Sequence, residues 1–404
     1  MIRPRSAALA LSVALIAPAT AAFSAPGTPP TPVPITTPSD QRTPPAPGAT
    51  PVGGPGLAGE GLLTDLPPGV PEPPDLPAGA YLVADLDDGR VILAKHPHLQ
   101  SRPASTLKTL TALVIAANLD PATAIEAEFE DVAIDGSKVG MVEDEEYTVH
   151  QLLQALMLNS GNDAANALAR ANGGMERTAA QMNDLAEHLG ALDTFAVNTS
   201  GLDAPGQMTS VYDLALIGRA AVEDPVVAPY LVEKIAQFPG RRTDGPGSRR
   251  ERYEINNHNR LLWNYEGTIG VKNGYTQAAR QTYIGAVRRD DQAYVITYLG
   301  GTSVGWRDTA ALLDWAFDHG QVAGALGHLV PPGSLVEPED TPEELPTDAA
   351  ADEQRDGGGD ETEETAIALD QLDLTSAPGI IAIAGAAAAI FVAGIVLMSR
   401  RRTH

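Results

Sequence analysis

The chain of 404 residues contains no cysteine. This absence excludes disulfide bonds, a catalytic thiolate and cysteine-ligated metal sites. A domain without disulfide bonds must be stabilised by its own hydrophobic core, and such a core requires a folded segment of substantial length.

Basic residues are scarce, with 27 lysines and arginines against 52 aspartates and glutamates and a formal net charge of −25. This charge argues against nucleic acid as a partner, because phosphate backbones are bound by basic patches. Much of it is local, since residues 337–373 contain 15 acidic residues and one base, Arg355. Such a segment repels itself and has little to bury, so residues 331–376 are predicted to form an acidic, disordered linker.

Long uncharged apolar runs are found at the two ends. Arg3 and Arg5 precede an apolar stretch at residues 7–17 and a small-residue triplet at 19–21. This order of charge, apolar run and small residues predicts a signal peptide over residues 1–25, since the run is too short to cross a bilayer.

At the other end, residues 380–398 carry no charge and are long enough to span the hydrocarbon core. Three arginines at residues 400–402 follow directly, and the positive-inside rule places them in the cytoplasm. The sequence therefore predicts a transmembrane helix at 377–399 and a cytoplasmic tail at 400–404. The protein is expected in the cell membrane, as a single-pass protein with an extracytoplasmic domain.

Between these ends, residues 26–78 are rich in proline, glycine and threonine and have no periodic apolar face, which predicts a disordered linker. Residues 79–330 form the predicted folded domain. The period of its apolar residues predicts helices at 149–158, 163–171, 175–189, 210–222 and 306–319, and strands at 81–84, 91–94, 268–271, 282–288 and 293–299. Strands at both ends with helices between them predict an α+β fold, with one antiparallel sheet flanked by helices and a helical subdomain.

Three short motifs occur in order along this domain: Ser105-Thr106-Leu107-Lys108, Ser160-Gly161-Asn162 and Lys272-Asn273-Gly274. Each motif is weak evidence alone. Their context strengthens them, because the first begins an apolar-faced helix, the second separates two helices and the third lies on a strand of the terminal meander.

The spacing of the first motif suits a serine nucleophile with a lysine base. Residues three apart on a helix lie on one face, so Lys108 can reach the Ser105 hydroxyl. A lysine acts as a base only in its neutral form, which burial and a second nearby cation such as Lys272 would favour. The N-terminus of the helix also directs backbone N–H groups toward an oxyanion that develops near Ser105.

The other motif residues complete a predicted catalytic site. Ser160 is predicted to relay a proton to the leaving amine, and Asn162 to hold Lys108 and a substrate amide. Lys272, on an edge strand, is predicted to bind a substrate carboxylate. Gly274 is predicted to let substrate backbone approach that strand closely.

These motifs resemble the S-x-x-K, S-x-N and K-T-G signatures of the serine D-Ala-D-Ala carboxypeptidases among the low-molecular-weight penicillin-binding proteins. The similarity runs from about Tyr81 to His319. Residues 198–203 resemble the family's Asn-x-x-Gly-Leu-Asp segment, and residues 259–276 resemble its approach to the third motif. The resemblance implies the fold shared by serine β-lactamases and penicillin-binding proteins.

The resemblance also implies a mechanism without cofactor or metal, and the eight histidines show no metal-ligand spacing. Ser105 attacks the carbonyl between the two terminal D-alanines of a peptidoglycan stem peptide, the last D-alanine leaves, and water hydrolyses the acyl-enzyme. The backbone N–H groups of Ser105 and Tyr275 form the implied oxyanion hole. β-Lactams are implied to acylate Ser105, because they mimic the dipeptide. The implied substrate-binding residues are Asn162, Lys272, Asn273, Gly274 and Tyr275.

Two features depart from the family pattern. Asn273 stands where the family usually has threonine, although an amide can also donate a hydrogen bond to a carboxylate. The chain also continues from Val330 into the acidic linker and the predicted membrane helix, without the small β-rich second domain of many relatives.

Three alternatives remain open from the sequence. A class A β-lactamase shares the motifs but needs a deacylating glutamate. A non-catalytic wall or membrane scaffold would keep the fold, with Asn273 as its sequence support. Residues 301–305 also match the nucleophile elbow of α/β-hydrolases, with Ser303 as the nucleophile, although that elbow belongs to a parallel sheet. The candidate deacylating residues are Glu176, Glu187, Glu223, Glu233, Glu251 and Glu254.

Overall fold

The computed structural model describes residues 50–335, with the exception of Pro246. The predicted signal peptide at 1–25, the predicted transmembrane helix at 377–399, the tail at 400–404 and most of the acidic linker lie outside the described residues. Within the range that is described, no helix is both long and apolar enough to cross a bilayer.

The described residues form two kinds of regular element, whose bounds are as follows. The strands are β1 (Leu62–Thr64), β2 (Ala80–Asp85), β3 (Arg90–Lys95), β4 (Ala124–Glu126), β5 (Glu146–Thr148), β6 (Ile235–Arg242), β7 (Arg250–Asn256), β8 (Thr268–Thr276), β9 (Arg280–Arg289), β10 (Gln292–Gly301) and β11 (Gly327–His328). The α-helices are α1 (Lys108–Asn118), α2 (Phe129–Val132), α3 (Val149–Leu158), α4 (Asn162–Ala171), α5 (Met175–His188), α6 (Val211–Glu223), α7 (Ala228–Val232), α8 (Arg260–Asn264) and α9 (Trp306–His319). Two 3₁₀ turns occupy Pro55–Leu57 and Ala104–Leu107.

Seven strands form one antiparallel sheet in the order β1-β3-β2-β10-β9-β8, with β11 also paired to β3. The beginning and the end of the domain meet where β2 pairs with β10, with Tyr81 opposite Tyr298. β8 lies at one edge of the sheet. The predicted antiparallel sheet, assembled from both ends of the domain, is confirmed.

The sheet is covered on both faces. Every residue of β2 is buried, and successive side chains alternate between two hydrophobic cores, as the pleat of a strand requires. Leu82 and Ala84 belong to the core shared with the helical subdomain, whereas Tyr81 and Val83 belong to the core covered by α9. Burial on both faces explains why β2 is a continuous apolar run in the sequence.

The predicted helices agree closely with the structure. α3 and α9 have the predicted bounds, α4 and α5 differ from their predictions by one residue at one end, and α6 is shifted by one residue at both ends. α3 begins at a capping box, in which Thr148 Oγ1 accepts the N–H of Gln151 at 3.2 Å. Local signals of this kind explain why these helices could be found from the sequence.

The predicted disordered linker at 26–78 is wrong for its second half. Leu57 and Leu76 are fully buried, β1 pairs with β3, and Trp315 Nε1 donates to the carbonyl of Pro71 at 2.8 Å. A proline-rich segment without periodicity can still pack in an extended form, because its carbonyls accept hydrogen bonds and its few leucines bury apolar surface. The folded domain therefore includes residues 50–78.

The C-terminal boundary of the folded domain also lies beyond the predicted residue 330. The N–H of Gly333 donates to the carbonyl of His188, at the end of α5, at 2.6 Å. Residues 331–335, which were predicted to begin the acidic linker, are thus attached to the domain.

The hairpin of β6 and β7 was not predicted. Most side chains of β7 are exposed, so this strand shows no apolar alternation, and arginines and acids dominate its sequence. β8 is also longer than the predicted strand at 268–271, and it includes the whole third motif.

Candidate active site

The first motif lies at the junction of the sheet and the helical subdomain. Ser105 belongs to the 3₁₀ turn Ala104–Leu107, which leads directly into α1 at Lys108. Ser105 is partly exposed, whereas Lys108 is fully buried one turn further on. Lys108 Nζ lies 3.0 Å from Ser105 Oγ, so the two side chains meet as the three-residue spacing predicted.

The turn that presents Ser105 is held from both sides. The carbonyl of Pro103 accepts hydrogen bonds from Thr106 Oγ1 at 2.6 Å and from Thr282 Oγ1, on β9, at 2.8 Å. Ala104 has a φ of +48°, in the left-handed region that a residue with a side chain rarely adopts. Contacts with the sheet therefore maintain a strained backbone immediately before the serine.

Lys108 Nζ has two further partners, Asn162 Oδ1 at 2.7 Å and the carbonyl of Ser200 at 2.5 Å. Both of these oxygens can only accept hydrogen bonds. A neutral amine has two N–H groups and one lone pair, so the two acceptors use both N–H groups. The lone pair is then left for the third neighbour, the Ser105 hydroxyl.

The electrostatic surroundings favour this neutral form. Burial lowers the pKa of Lys108 well below its ordinary value of 10.5, and the positive charge of Lys272 lowers that pKa further. Asp163 acts in the opposite direction on the same pKa, as a smaller effect. The predicted influence of burial and of Lys272 on Lys108 therefore has a structural basis.

The second motif supplies Asn162 as the first residue of α4. Its Nδ2 donates to the carbonyl of Asp135 at 2.7 Å, which fixes the amide with Oδ1 toward Lys108. The predicted contact between Asn162 and Lys108 is thus present, and the amide orientation follows from its two partners.

Ser160 lies in the break between α3 and α4 and has a φ of +63°. Its side chain is 5% exposed, and among the described residues its Oγ has no hydrogen-bond partner. A buried hydroxyl without a partner is unfavourable in a resting protein. Such a group is available to a substrate or to a proton in transit.

The third motif lies on the edge strand β8. Lys272 is 1% exposed, and its Nζ donates to the carbonyl of Asn273 at 2.9 Å. Burial lowers the pKa of Lys272 to about 7. Tyr275 is 60% exposed at the end of the same strand.

Gly274 has a more immediate role than the predicted approach of substrate. A Cβ at this position would lie 2.7 Å from the backbone N of Ser105 and 2.5 Å from Thr282 Oγ1. β8 can therefore pack against the Ser105 turn only because residue 274 lacks a side chain. This packing brings the N–H of Ser105 close to the peptide that joins Gly274 to Tyr275.

The loop at residues 198–203, which resembles the family's Asn-x-x-Gly-Leu-Asp segment, supplies the Ser200 carbonyl as the third partner of Lys108. Asn198 Oδ1 accepts the N–H groups of Ser200 at 3.2 Å and Gly201 at 2.8 Å, which turns the Ser200 carbonyl toward Lys108. Gly201 has a φ of +79°, and a Cβ there would lie 1.8 Å from the carbonyl oxygen of Ala104. Residues 198–201 are thus built into the Ser105 turn, and residue types alone could not assign this role to a backbone carbonyl.

Asp163 is a second residue without a predicted role. It is fully buried, and its carboxylate accepts the N–H groups of Val139, Gly140 and Met141 at 2.9, 2.9 and 3.1 Å. Its position directly after Ser-Gly-Asn is the sequence signal that could have identified it. The carboxylate ties the loop at 139–141 to the beginning of α4, beside Asn162.

The competing motifs lie elsewhere. Residues 138–140 also have the K-x-G pattern, but their Lys138 is exposed and donates to the carbonyl of Val132 at 2.9 Å. Ser303 lies in a loop after an antiparallel strand, and its Oγ donates to the adjacent carbonyl of Thr302. The α/β-hydrolase alternative is therefore wrong, because the elbow requires a parallel sheet. Across the described part of the chain, no group of three or more acidic or histidine side chains could hold a metal ion.

An antiparallel sheet joined to a helical subdomain, with a buried lysine beside a serine at their junction, is the arrangement of the serine-acylated enzymes that include penicillin-binding peptidases and serine β-lactamases. The family model described as D-alanyl-D-alanine carboxypeptidase matches residues 69–302 of this chain. The chain belongs to this family, and the predicted family and reaction are confirmed.

Similar proteins agree with this assignment. The D-alanyl-D-alanine carboxypeptidase DacB2 of Mycobacterium tuberculosis is 40% identical over 252 residues, which cover 60% of this chain and 84% of that protein. The carboxypeptidase DacD of Escherichia coli is 30% identical over 271 residues, covering 63% and 67% of the two chains.

Solved structures extend the agreement to the fold. A D-alanyl-D-alanine carboxypeptidase from M. tuberculosis H37Rv has a TM-score of 0.61 and 39% identity, covering 65% of this chain and 99% of its own. The DD-transpeptidase of Streptomyces K15 has a TM-score of 0.57 and 26% identity, covering 61% and 100%. The predicted penicillin-binding-protein fold is confirmed, while the roles of individual site residues remain predictions.

Proposed function

We propose that this chain hydrolyses the bond between the two terminal D-alanines of peptidoglycan stem pentapeptides, through an acyl-enzyme on Ser105. The observation that carries the proposal is the 3.0 Å contact between Ser105 Oγ and a fully buried Lys108. Membership of the carboxypeptidase family supplies the reaction class, and the geometry supports the roles of the individual residues.

In the acylation step, the neutral Lys108 amine accepts the Ser105 proton while Oγ bonds to the peptide carbonyl carbon. The carbonyl oxygen takes up negative charge, which the N–H groups of Ser105 and Tyr275 stabilise. The close packing at Gly274 supports this oxyanion hole, because it places the residue before Tyr275 directly against the backbone N of Ser105.

The peptide C–N bond then breaks, and its nitrogen receives the proton from Lys108 by way of the Ser160 hydroxyl. Ser160 Oγ has no hydrogen-bond partner within residues 50–335 as described, which supports this relay, since a hydroxyl can accept one proton while it donates another. D-Alanine leaves, and a water molecule attacks the ester carbon. Lys108 takes a proton from this water and returns one to Ser105, which restores the enzyme and releases the shortened peptide as a carboxylic acid that loses its proton to solvent.

Lys272 and Asn273 are proposed to bind the terminal carboxylate of the substrate. Because the pKa of Lys272 is about 7, both of its protonation states are populated near neutral pH in the free protein. A carboxylate beside it favours the ammonium form, so binding includes the uptake of a proton. The Asn273 side chain can donate a second hydrogen bond in the place where the family usually has threonine.

The same arrangement supports the proposal that β-lactams inhibit the enzyme. A penicillin presents a strained amide to Ser105 and a carboxylate to Lys272. It therefore acylates Ser105 in the same way as the D-alanyl-D-alanine dipeptide. Lys108 Nζ contacts Ser105 Oγ, Asn162 Oδ1 and the Ser200 carbonyl, none of which belongs to a glutamate. This favours a stable acyl-enzyme over rapid lactamase turnover.

The test combines adduct mass and product release. We expect penicillin to add one molecule to the wild type and to Ser303→Ala, and none to Ser105→Ala. D-Alanine release from a pentapeptide should be lost in Ser105→Ala and retained in Ser303→Ala, since Ser303 lies in an exposed loop. An adduct on Ser105→Ala, or release without Ser105, contradicts the proposal.

The proposed place of action is the outer side of the cell membrane. Residues 1–25 direct export, and residues 377–399 hold the protein in the membrane with 400–404 inside, as their composition indicates. Truncation after residue 376 is then expected to release an active protein from the membrane fraction. Retention of the truncated protein in that fraction would rule out this anchor.

A further inference from the structure

A cavity of about 480 Å³ lies between β5, the beginning of α3 and the β6–β7 hairpin. Four arginines line it: Arg242, Arg249, Arg250 and Arg252. None of the residues proposed for peptide hydrolysis takes part. In a chain with a net charge of −25, four guanidinium groups around one cavity suggest a binding site for an anion.

Two of the arginines form a fixed wall. The Arg250 guanidinium lies 4.4 Å from the centre of the Tyr147 ring and donates to the carbonyls of Gly240 at 2.8 Å and Pro239 at 3.2 Å. Arg242 Nε is 2.9 Å from a carboxylate oxygen of Glu145. These contacts hold the two guanidinium groups in place before any ligand binds.

The other two arginines are available. Arg249 and Arg252 are exposed, and their side chains have no hydrogen bond or ion pair with any residue in the range 50–335 for which contacts are described. Glu145 pairs with Arg242 and Arg250. Glu146 also lines the cavity, so the lining residues carry four guanidinium groups and one carboxylate. With Glu145 included, these six side chains carry a net charge of +2.

The helix α3 adds to this field. Its N-cap Thr148 and the N3 residue Gln151 both line the cavity, so the positive end of a ten-residue helix faces the same space. Their side chains also offer polar hydrogens to a bound anion.

We propose that this cavity binds the phosphate group of a phosphomonoester or phosphodiester. Guanidinium forks match the oxygens of phosphate: Arg249 and Arg252 can supply such forks, while the fixed Arg242 and Arg250 add positive charge beside them. An excess of two charges suits a phosphate better than a single carboxylate. The volume leaves room for the sugar or polyol that the phosphate esterifies.

The test uses the full chain with inorganic phosphate and with soluble glycerol-phosphate oligomers, measured by titration calorimetry at low ionic strength. We expect saturable binding of both, weakened about 100-fold in Arg249→Gln/Arg252→Gln, because each lost charge-assisted contact corresponds to about ten-fold in affinity. Arg241→Gln is the control for the loss of one charge from the same hairpin, since Arg241 lies outside the cavity lining. Its affinity should stay within about two-fold of the wild type.

Vesicles identify the source of the phosphate. Binding to phosphatidylglycerol vesicles that depends on Arg249 and Arg252 would assign a lipid headgroup, while binding confined to the soluble oligomers would assign a polymer. Absence of saturable phosphate binding, or equal losses in Arg241→Gln and the double variant, would overturn the site. The exposed positions leave the fold intact, which thermal unfolding verifies, and the readout is independent of D-alanine release.

Discussion

Lys108 and Lys272 are both buried lysines of the same cleft, and they differ in what surrounds the amine. Lys108 Nζ contacts Ser105 Oγ, an amide oxygen and a backbone carbonyl. Lys272 Nζ has one hydrogen bond within the described residues, to the carbonyl of the residue that follows it.

The difference assigns different tasks to two similar side chains. Both N–H groups of the neutral Lys108 amine have acceptors, so its lone pair is left to accept a proton from Ser105. In the described part of the chain, Lys272 makes a single hydrogen bond and lies on an edge strand, where an anion from outside can accept further ones. The proposed mechanism accordingly uses Lys108 to move a proton within the protein and Lys272 to bind the ligand.

Replacement of the base should have the largest effect. Lys108→Met keeps the volume of the side chain but removes the amine, so acylation by penicillin and D-alanine release should both fall by about 10³-fold. Lys138→Ala is the control, because it removes an exposed lysine from the other K-x-G sequence. Stopped-flow acylation measures the effect, and a loss smaller than about ten-fold would refute the assignment of Lys108 as the base.

A substitution at Gly201, the residue after Ser200, is expected to displace the Ser200 carbonyl. Gly201→Ala forces a Cβ to 1.8 Å from the Ala104 carbonyl oxygen, so the Ser105 turn must shift and acylation should slow by about 100-fold. Gly206→Ala provides a control with a similar φ of +83° but no atom within 4 Å of its Cβ. Equal rates in the two variants would show that the packing against Ala104 is unimportant.

Loss of the ligand-binding lysine should be smaller and selective. Lys272→Gln removes a charge that contacts the carboxylate, so kcat/KM should fall by about 10- to 100-fold for substrates that carry this group. A penicillin methyl ester lacks the carboxylate and should acylate Lys272→Gln and the wild type at similar rates. A strong loss with the ester as well would indicate that Lys272 acts in the chemistry itself.

Stability should also respond to pH because of these lysines. Lys272 has a folded pKa of about 7 against an ordinary value of 10.5, so between these values the unfolded chain binds a proton that the folded protein does not. The free energy of unfolding should therefore rise with pH across this window, by about 1 kcal/mol per pH unit for each such lysine. Denaturant titrations at pH 7.5 and 9.5 should show a shallower rise in Lys272→Met, and an unchanged slope would contradict neutral burial.

The sequence predicted those parts of the site that depend on local spacing. Ser105 and Lys108 meet because they are three residues apart in a helical turn, and α3 begins where its capping residues indicate. The contribution of the Ser200 carbonyl was not predictable, because every residue has a carbonyl and only the tertiary fold selects one. Residues 50–78 were also misjudged, since their order comes from contacts with distant strands rather than from any period of their own.

A high-resolution structure of the benzylpenicillin adduct is the most direct test of the division between the two lysines. The account predicts a covalent bond to Ser105 Oγ, with the ligand carboxylate against Lys272 and Asn273 and with Lys108 still held by Asn162 and Ser200. A carboxylate bound to Lys108, or bound away from both lysines, would contradict it.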